Sequence, residues 1–226
     1  MYASRICIGK ALLVSTKTKA TVDANETIVA DAAKHHRRLI AIGKLESYDS
    51  AKQQLKLQCP FGMPFFKVTP DIWERTIKSY RKAIGAHEKG YSVVAILQTD
   101  KPVVGKKCTT ANVLNVALMI VSDEWIPVES GYELFIERML RAQKRSFIKP
   151  MRFDCKVNPV FPDFWLTDSV SGGHIPMEVY GLDDPKYLAR KAAKAVIYNT
   201  KYTPAGWWHW NAYLDKKCAA IPPFPL

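Results

Sequence analysis

Asp163, in the run PDFWLTD, and Glu178, in PMEVYG, are the two acidic residues of this sequence best placed to act together. Each stands in an apolar, strand-like run, and SVSGG between the runs reads as a hairpin turn that sets the strands side by side. Phe164 and Leu166 alternate against Asp163, and Met177 and Val179 against Glu178, so the two acids share one side with Tyr180. Two acids facing each other in an apolar strand pair are costly unless a cation joins them. A hard divalent cation, Mg²⁺ or Mn²⁺, takes carboxylate and carbonyl oxygens. Here Asp163, Glu178 and the Val179 carbonyl would supply part of its shell, and water and phosphate the rest. Such an ion polarises a phosphate and activates the attacking water, which makes phosphodiester hydrolysis the indicated chemistry.

The elements that must position these acids can be read around them. Ser130 stands three residues before Glu133, the spacing of a capping box. Tyr132, Phe135, Ile136, Met139, Leu140 and Gln143 then follow helical spacing. FIKPMRFDCKV, VFPDFWLTD and HIPMEVYG read as three strands. In DDPKYLARKAAKAVIYNTK, Asp184 caps a second helix and Pro185 takes its first position, and GWWHWNAYL follows as a closing strand. The order is helix, three strands, helix, strand.

Upstream, RRLIAIGKLESYD, KQQLKLQ and MPFFKV read as three strands. A helix capped by Thr69 and opened by Pro70 follows, carries Trp73, Ile77, Tyr80 and Ile84 on one face, and ends at Gly90. YSVVAILQT is a buried-strand pattern. TTANVLNVALMIVS is apolar enough for another strand, although its first half also suits a helix. The expected fold is therefore α/β (α+β), with a basic mixed module over residues 1–126 and a second domain over 127–226. The 226 residues, 48% apolar, suffice for one large domain or two small ones.

The whole chain carries +12. Nineteen basic and 11 acidic residues up to position 126 leave +8, and 14 and 10 beyond it leave +4. This background suits a polyphosphate partner such as DNA engaged through its phosphates, although charge alone fits an anionic surface equally. No run of 18 apolar residues occurs, and MYASRICIGKALLVSTKTKA lacks the parts of a signal peptide, so the chain reads as cytosolic with no membrane partner. Cys7, Cys59, Cys108, Cys155 and Cys218 form no CxxC pair, which argues against a disulfide framework and a zinc site and for mostly buried, reduced thiols.

Taken together, the helix with Glu133, the PDF triplet, the acid triplet followed by Gly181, and the helix with Tyr187 and its lysines resemble the PD-(D/E)xK nuclease superfamily, whose core is an αβββαβ unit. The resemblance covers residues 129 to about 212. More narrowly, ALMIVSDEWIPVESGYELFIERMLRAQKRSFIKPMRFD, FPDFWLTD, MEVYG and the YLARKAAK helix resemble a bacterial family of unknown function carried on plasmids and integrative conjugative elements. That likeness extends into RRLIAIGKLESY and TPDIWERTIKSYRKAI. Members of the family are usually longer, so a further N-terminal segment is expected.

The resemblance implies that Asp163 and Glu178 are metal ligands and that Glu133 is an added ligand or water contact. It also implies that Lys191 or Lys194 serves from the following helix, with Lys191, one turn beyond Tyr187, as first choice, because the usual lysine position is held by Tyr180. Metal-dependent DNA cleavage in a mobile element is the implied function. A nuclease-fold DNA-binding or assembly protein without catalysis is the main alternative, and an RNA-processing nuclease a third.

Each residue also has a plainer reading. Glu133 is equally the reciprocal partner of Ser130, and helix lysines usually solvate a surface. Trp207, Trp208 and Trp210 read as core rather than as a base-stacking platform. His35, His36, His174 and His209 lack metal-ligand spacing and read as surface residues. No Gly-rich phosphate loop, Ser/His/Asp order or dinucleotide fingerprint is present.

Overall fold

In the computed structural model, which describes residues 11–153, 160–170 and 172–226, the chain separates between Trp125 and Ile126 into two units. Both mix helices and strands. The expected strand over 147–157, the hairpin turn at Ser171 and the thiols of Cys7 and Cys155 lie partly or wholly outside the described residues.

The first unit runs β1 (Leu12–Val14), α1 (Lys19–Lys34), β2 (Ile40–Asp49), β3 (Gln54–Leu57), β4 (Phe65–Lys67), α2 (Pro70–Ser79), α3 (Arg81–Glu88), β5 (Val93–Thr99), β6 (Val103–Val104) and β7 (Thr109–Ile120). Its two long strands are shared between partners. β2 pairs β5 through its first half and β3 through its second, while β7 pairs β4 and β5, so the pairings lead from β2 through β3, β4, β7 and β5 back to β2. The apolar run of β7 is strand throughout. The helix expected from Thr69 to Gly90 is two helices, because Tyr80 leaves helical geometry at φ −117° and ψ 38°. Thr69 makes no side-chain cap. Trp73 finds its partner in Tyr48, stacked at 4.6 Å. Helix α1 gave no sequence signal, and only Asn25, Val29 and Ala32 of it are buried. Asn25 replaces an apolar stripe with hydrogen bonds to both backbone groups of Val14 and to the Phe61 carbonyl.

The second unit runs α4 (Gly131–Ala142), β8 (Phe147–Ile148), β9 (Phe164–Leu166), β10 (Ile175–Val179), α5 (Pro185–Tyr202) and β11 (Trp208–Trp210). The sheet order is β11-β10-β9-β8, with β11 parallel to β10 and the other pairs antiparallel. One core gathers Phe164, Leu166, Met177 and Val179 with Ile136 and Leu140 of α4 and with Trp208 and Trp210. Another gathers Tyr180 with Tyr198 of α5 and Trp207. Both faces of the sheet are thus covered. Helix α5 lies over the side that carries Glu178 and Tyr180. The three tryptophans are core residues, each at most 7% exposed.

The turn from α5 into β11 depends on a close backbone approach. A Cβ at Gly206 would meet the Tyr202 carbonyl oxygen at 1.6 Å, a contact that only glycine avoids. Gly206→Ala is expected to lower the urea midpoint of the second unit by the equivalent of about 2 kcal/mol or more, read by tryptophan fluorescence. An unchanged midpoint would show that the turn relaxes freely.

Candidate active site

The site begins at the start of α4, where capping and ion pairing meet on Glu133. The Ser130 hydroxyl accepts the Glu133 N–H at 3.2 Å, and Glu133 Oε2 accepts the N–H of Glu129 at 3.2 Å. This is the reciprocal cap read from the spacing, with the returning bond one residue earlier than the usual box. The same Oε2 accepts from Lys149 Nζ at 2.7 Å, and both side chains are nearly buried.

Lys149 follows β8 directly. It lies 4.0 Å from Asp163 Oδ1 and 4.8 Å from the centre of the Phe164 ring. Sequence reasoning missed it. The available signal was register: Ile148 pairs with Trp165 on β9, so the next residue of the edge strand runs alongside Phe164 and Asp163.

Asp163 stands where the β9–β10 ladder ends. Its N–H donates to the Met177 carbonyl at 3.0 Å, and its Oδ2 accepts the Val179 N–H at 2.7 Å. A side chain thereby takes over a bond that the ladder would otherwise give to backbone.

Glu178, on β10, is 3% exposed. Its Oε1 accepts from Lys194 Nζ at 2.7 Å and from the Tyr198 hydroxyl at 2.5 Å. Lys194 and Tyr198 are four apart on α5 and therefore share one face. Lys194 Nζ also donates to the Phe161 carbonyl at 3.3 Å.

Of the two helix lysines, Lys194 and not the first-choice Lys191 meets Glu178. Lys191 does not pair with Glu178. Its ammonium donates to Asn211 Oδ1 at 2.5 Å and to the Tyr213 hydroxyl at 3.3 Å, and it lies 4.8 Å and 4.9 Å from the ring centres of Tyr180 and Tyr213. Its ridge of α5 reaches the segment after β11, whereas that of Lys194 reaches β10. Tyr187 meets Tyr180 edge to face at 6.3 Å. Tyr180 is 2% exposed, and among the described residues its hydroxyl has no hydrogen-bond partner.

The electrostatics follow from this crowding. Burial, then the neighbouring Glu133 and Glu178, push the Asp163 carboxyl up to about 7 against the pull of Lys149 and the Val179 N–H. The Asp163 side chain keeps 24% of its surface, so one edge of a crowded carboxylate still reaches solvent. Burial also raises Glu178, opposed by Lys194, Tyr198 and Lys149. Burial, with Glu178 next, pushes the phenols of Tyr180 and Tyr198 far up, so both remain donors at ordinary pH.

Among the described residues no group of three or more His, Cys, Asp or Glu side chains is placed to hold a metal ion. Glu133 is committed to Lys149 and its cap, so the expected three-acid ligand set is not assembled. The pair Asp163 and Glu178 still fits a hard cation by donor chemistry. Mg²⁺ commonly takes only one or two carboxylates and keeps water and phosphate oxygens for the rest. Burial, with the neighbouring Glu133 and Glu178, raises the Asp163 carboxyl, and a cation held by the pair would offset that cost.

A family model described as protein of unknown function (DUF1173) matches residues 13–212. The chain belongs to that family. No curated protein and no solved structure matches it. The family span takes in every residue of the acid–lysine cluster and most of both units.

The remaining sequence candidates are peripheral. His35, His36, His174 and His209 are all exposed. The cysteines differ from expectation: Cys108 is exposed and Cys59 and Cys218 are half-buried, all three as free thiols. No helix of the described residues is long and apolar enough to cross a membrane.

The raised Asp163 carboxyl fixes the sign of a pH effect. Its folded-state value of about 7 lies above the unfolded one, so the folded chain holds the proton more tightly. The stability this contributes is complete below about pH 4 and is lost as pH rises through 7. Asp163→Asn, which keeps an acceptor for the Val179 N–H, is expected to melt roughly 5 °C above wild type at pH 8. The gap should narrow at pH 5 and close only near pH 4. A gap of equal size at both pH values would contradict the assignment.

Proposed function

We propose that residues 126–226 form a PD-(D/E)xK-like unit that hydrolyses phosphodiester bonds in DNA, with Asp163 and Glu178 holding Mg²⁺ or Mn²⁺ and Lys194 supplying the missing lysine charge. The observation that carries this reading is the meeting of Lys194 Nζ with Glu178 Oε1 at 2.7 Å, on a strand that adjoins Asp163. It returns a lysine to the acid pair from α5 where Tyr180 occupies the strand position. The element order α4, β8, β9, β10, α5, β11 supports it as well, as does the +12 charge towards a phosphate backbone.

Each residue then has a part in the chemistry. Asp163 and Glu178 would hold the cation, which when bound would supply Lewis-acid polarisation of the phosphate and activation of water. The Val179 N–H fixes Asp163 through Oδ2 and leaves Oδ1 turned towards Lys149. The Tyr198 hydroxyl orients Glu178 from beneath. Lys194, only partly covered, would offset charge building on the phosphoryl oxygens. Lys149 keeps Glu133 neutralised, so that two rather than three acids demand a cation.

The second reading is a nuclease-fold protein that binds DNA or assembles without cutting, within a mobile element. The internal pairing of Glu133 with Lys149 and of Glu178 with Lys194 favours it, because these carboxylates are satisfied without a metal.

Cleavage of plasmid, linear and branched DNA with Mg²⁺ or Mn²⁺ separates the two readings. Wild type is expected to cut at least one substrate and Asp163→Ala none. Lys194→Ala should lose about a hundredfold in rate, and Lys191→Ala far less. Wild type that binds DNA yet cuts nothing with either metal would leave the second reading.

A further inference from the structure

Lys191 has a different setting from the other lysines of the cluster. Its part-buried ammonium touches two aromatic rings and two neutral oxygens, and no carboxylate among the described residues lies within ion-pair distance of it. A cation drawn out of water without a counter-ion is costly, and ring faces and neutral acceptors offset only part of that cost. Beside it, the Tyr180 hydroxyl is buried and unpartnered among the described residues. Lys191 Nζ lies over the Tyr180 ring, so a donor lacking an acceptor and a cation lacking an anion occur side by side.

A third observation gives the direction in which a ligand would extend. Asn211, the acceptor of Lys191, also lines an open groove of about 460 Å³ along the free edge of β11, together with Trp207, His209, Pro204 and Leu214. Trp207 stacks on Tyr198 at 4.8 Å and on His209 at 4.5 Å, which carries a run of parallel rings from Glu178 out to the surface. The outermost ring is the exposed His209. Burial, then the nearby Lys191, holds His209 below its ordinary value, which leaves a neutral ring there at pH 7. A neutral planar surface beside an uncompensated ammonium matches one nucleotide unit, a base next to its phosphate.

We propose that Lys191, Tyr180 and Asn211 bind a phosphate group of a nucleic-acid strand flanking the Asp163–Glu178 pair, with the attached base laid on His209 in the β11 groove. The proposal rests on the nucleic-acid reading given above and names what that reading lacked, a strand whose bases are free to stack. Lys191 and Tyr180 are then binding residues, not part of the cleavage step.

The test is binding without metal, so that cleavage plays no part. A fluorescent, 5′-phosphorylated oligothymidylate of about ten nucleotides is titrated in EDTA at several salt concentrations. Wild type is compared with Lys191→Met, which keeps the packing between the rings, and with Tyr180→Phe, which alters no charge. Lys191→Met is expected to weaken binding and to reduce the slope of log affinity against log salt by about one. Tyr180→Phe should weaken binding several-fold at an unchanged slope while melting no lower than wild type, since the hydroxyl it removes has no partner in the protein. Wild-type affinity and slope in both variants would overturn the site, and so would absence of wild-type binding at low salt. A reduced slope in Lys191→Met with unaltered Tyr180→Phe would remove Tyr180 from it. Cleavage is scored separately: a wild type that never cuts but shows both effects loses the hydrolysis reading and keeps the site, and one that cuts while neither variant alters binding does the reverse.

Discussion

Two carboxylates on neighbouring strands, Glu178 buried and Asp163 half-buried, are the constraint around which the second unit is organised. Asp163 and Glu178 oppose each other's ionisation, and without compensation a buried pair of this kind would cost several kcal/mol. Three sources compensate it. The Val179 N–H holds Asp163, Lys194 and Tyr198 hold Glu178, and Lys149 stands between Glu133 and Asp163. Each comes from a different element, so the cluster requires α5, β8, β9 and β10 to be in place together.

That requirement accounts for features that packing alone leaves unexplained. Helix α5 must lie over the acid side of the sheet, and the Asp184 side chain that accepts the Tyr187 N–H, with Pro185 after it, sets where the helix starts. The short edge strand β8 delivers Lys149 to the end of β9, and Arg145 fixes its approach by a two-bond pairing with Asp168 at 2.9 Å each. The opposite face remains an ordinary apolar core of α4 against Phe164, Leu166 and Met177.

Much of this was legible because the relevant signals are local. The caps at Ser130 and Asp184, the alternation around Asp163 and Glu178, and the run from α4 to β11 all appear within a few residues of sequence. What was not legible depends on geometry beyond a strand or a turn. Lys191 and Lys194 lie four and seven residues after Tyr187 on the same helix, and only the side of α5 that meets β10 distinguishes them. Lys149 needed the register of an edge strand, which only two residues define. Helix α1 was invisible because it is held by the buried Asn25 rather than by an apolar stripe, and the break at Tyr80 because the apolar spacing runs straight through it.

The acid pair acts either as a cation site or as a self-neutralised cluster. Thermal unfolding at pH 8 with and without millimolar Mg²⁺, for wild type and Asp163→Ala, addresses this without reference to any substrate. A cation that binds only the folded chain raises the melting temperature with its concentration. Wild type is expected to rise progressively and Asp163→Ala to stay flat. Equal behaviour of the two proteins would mean that Lys149 and Lys194 already satisfy the acids and that no metal is held there.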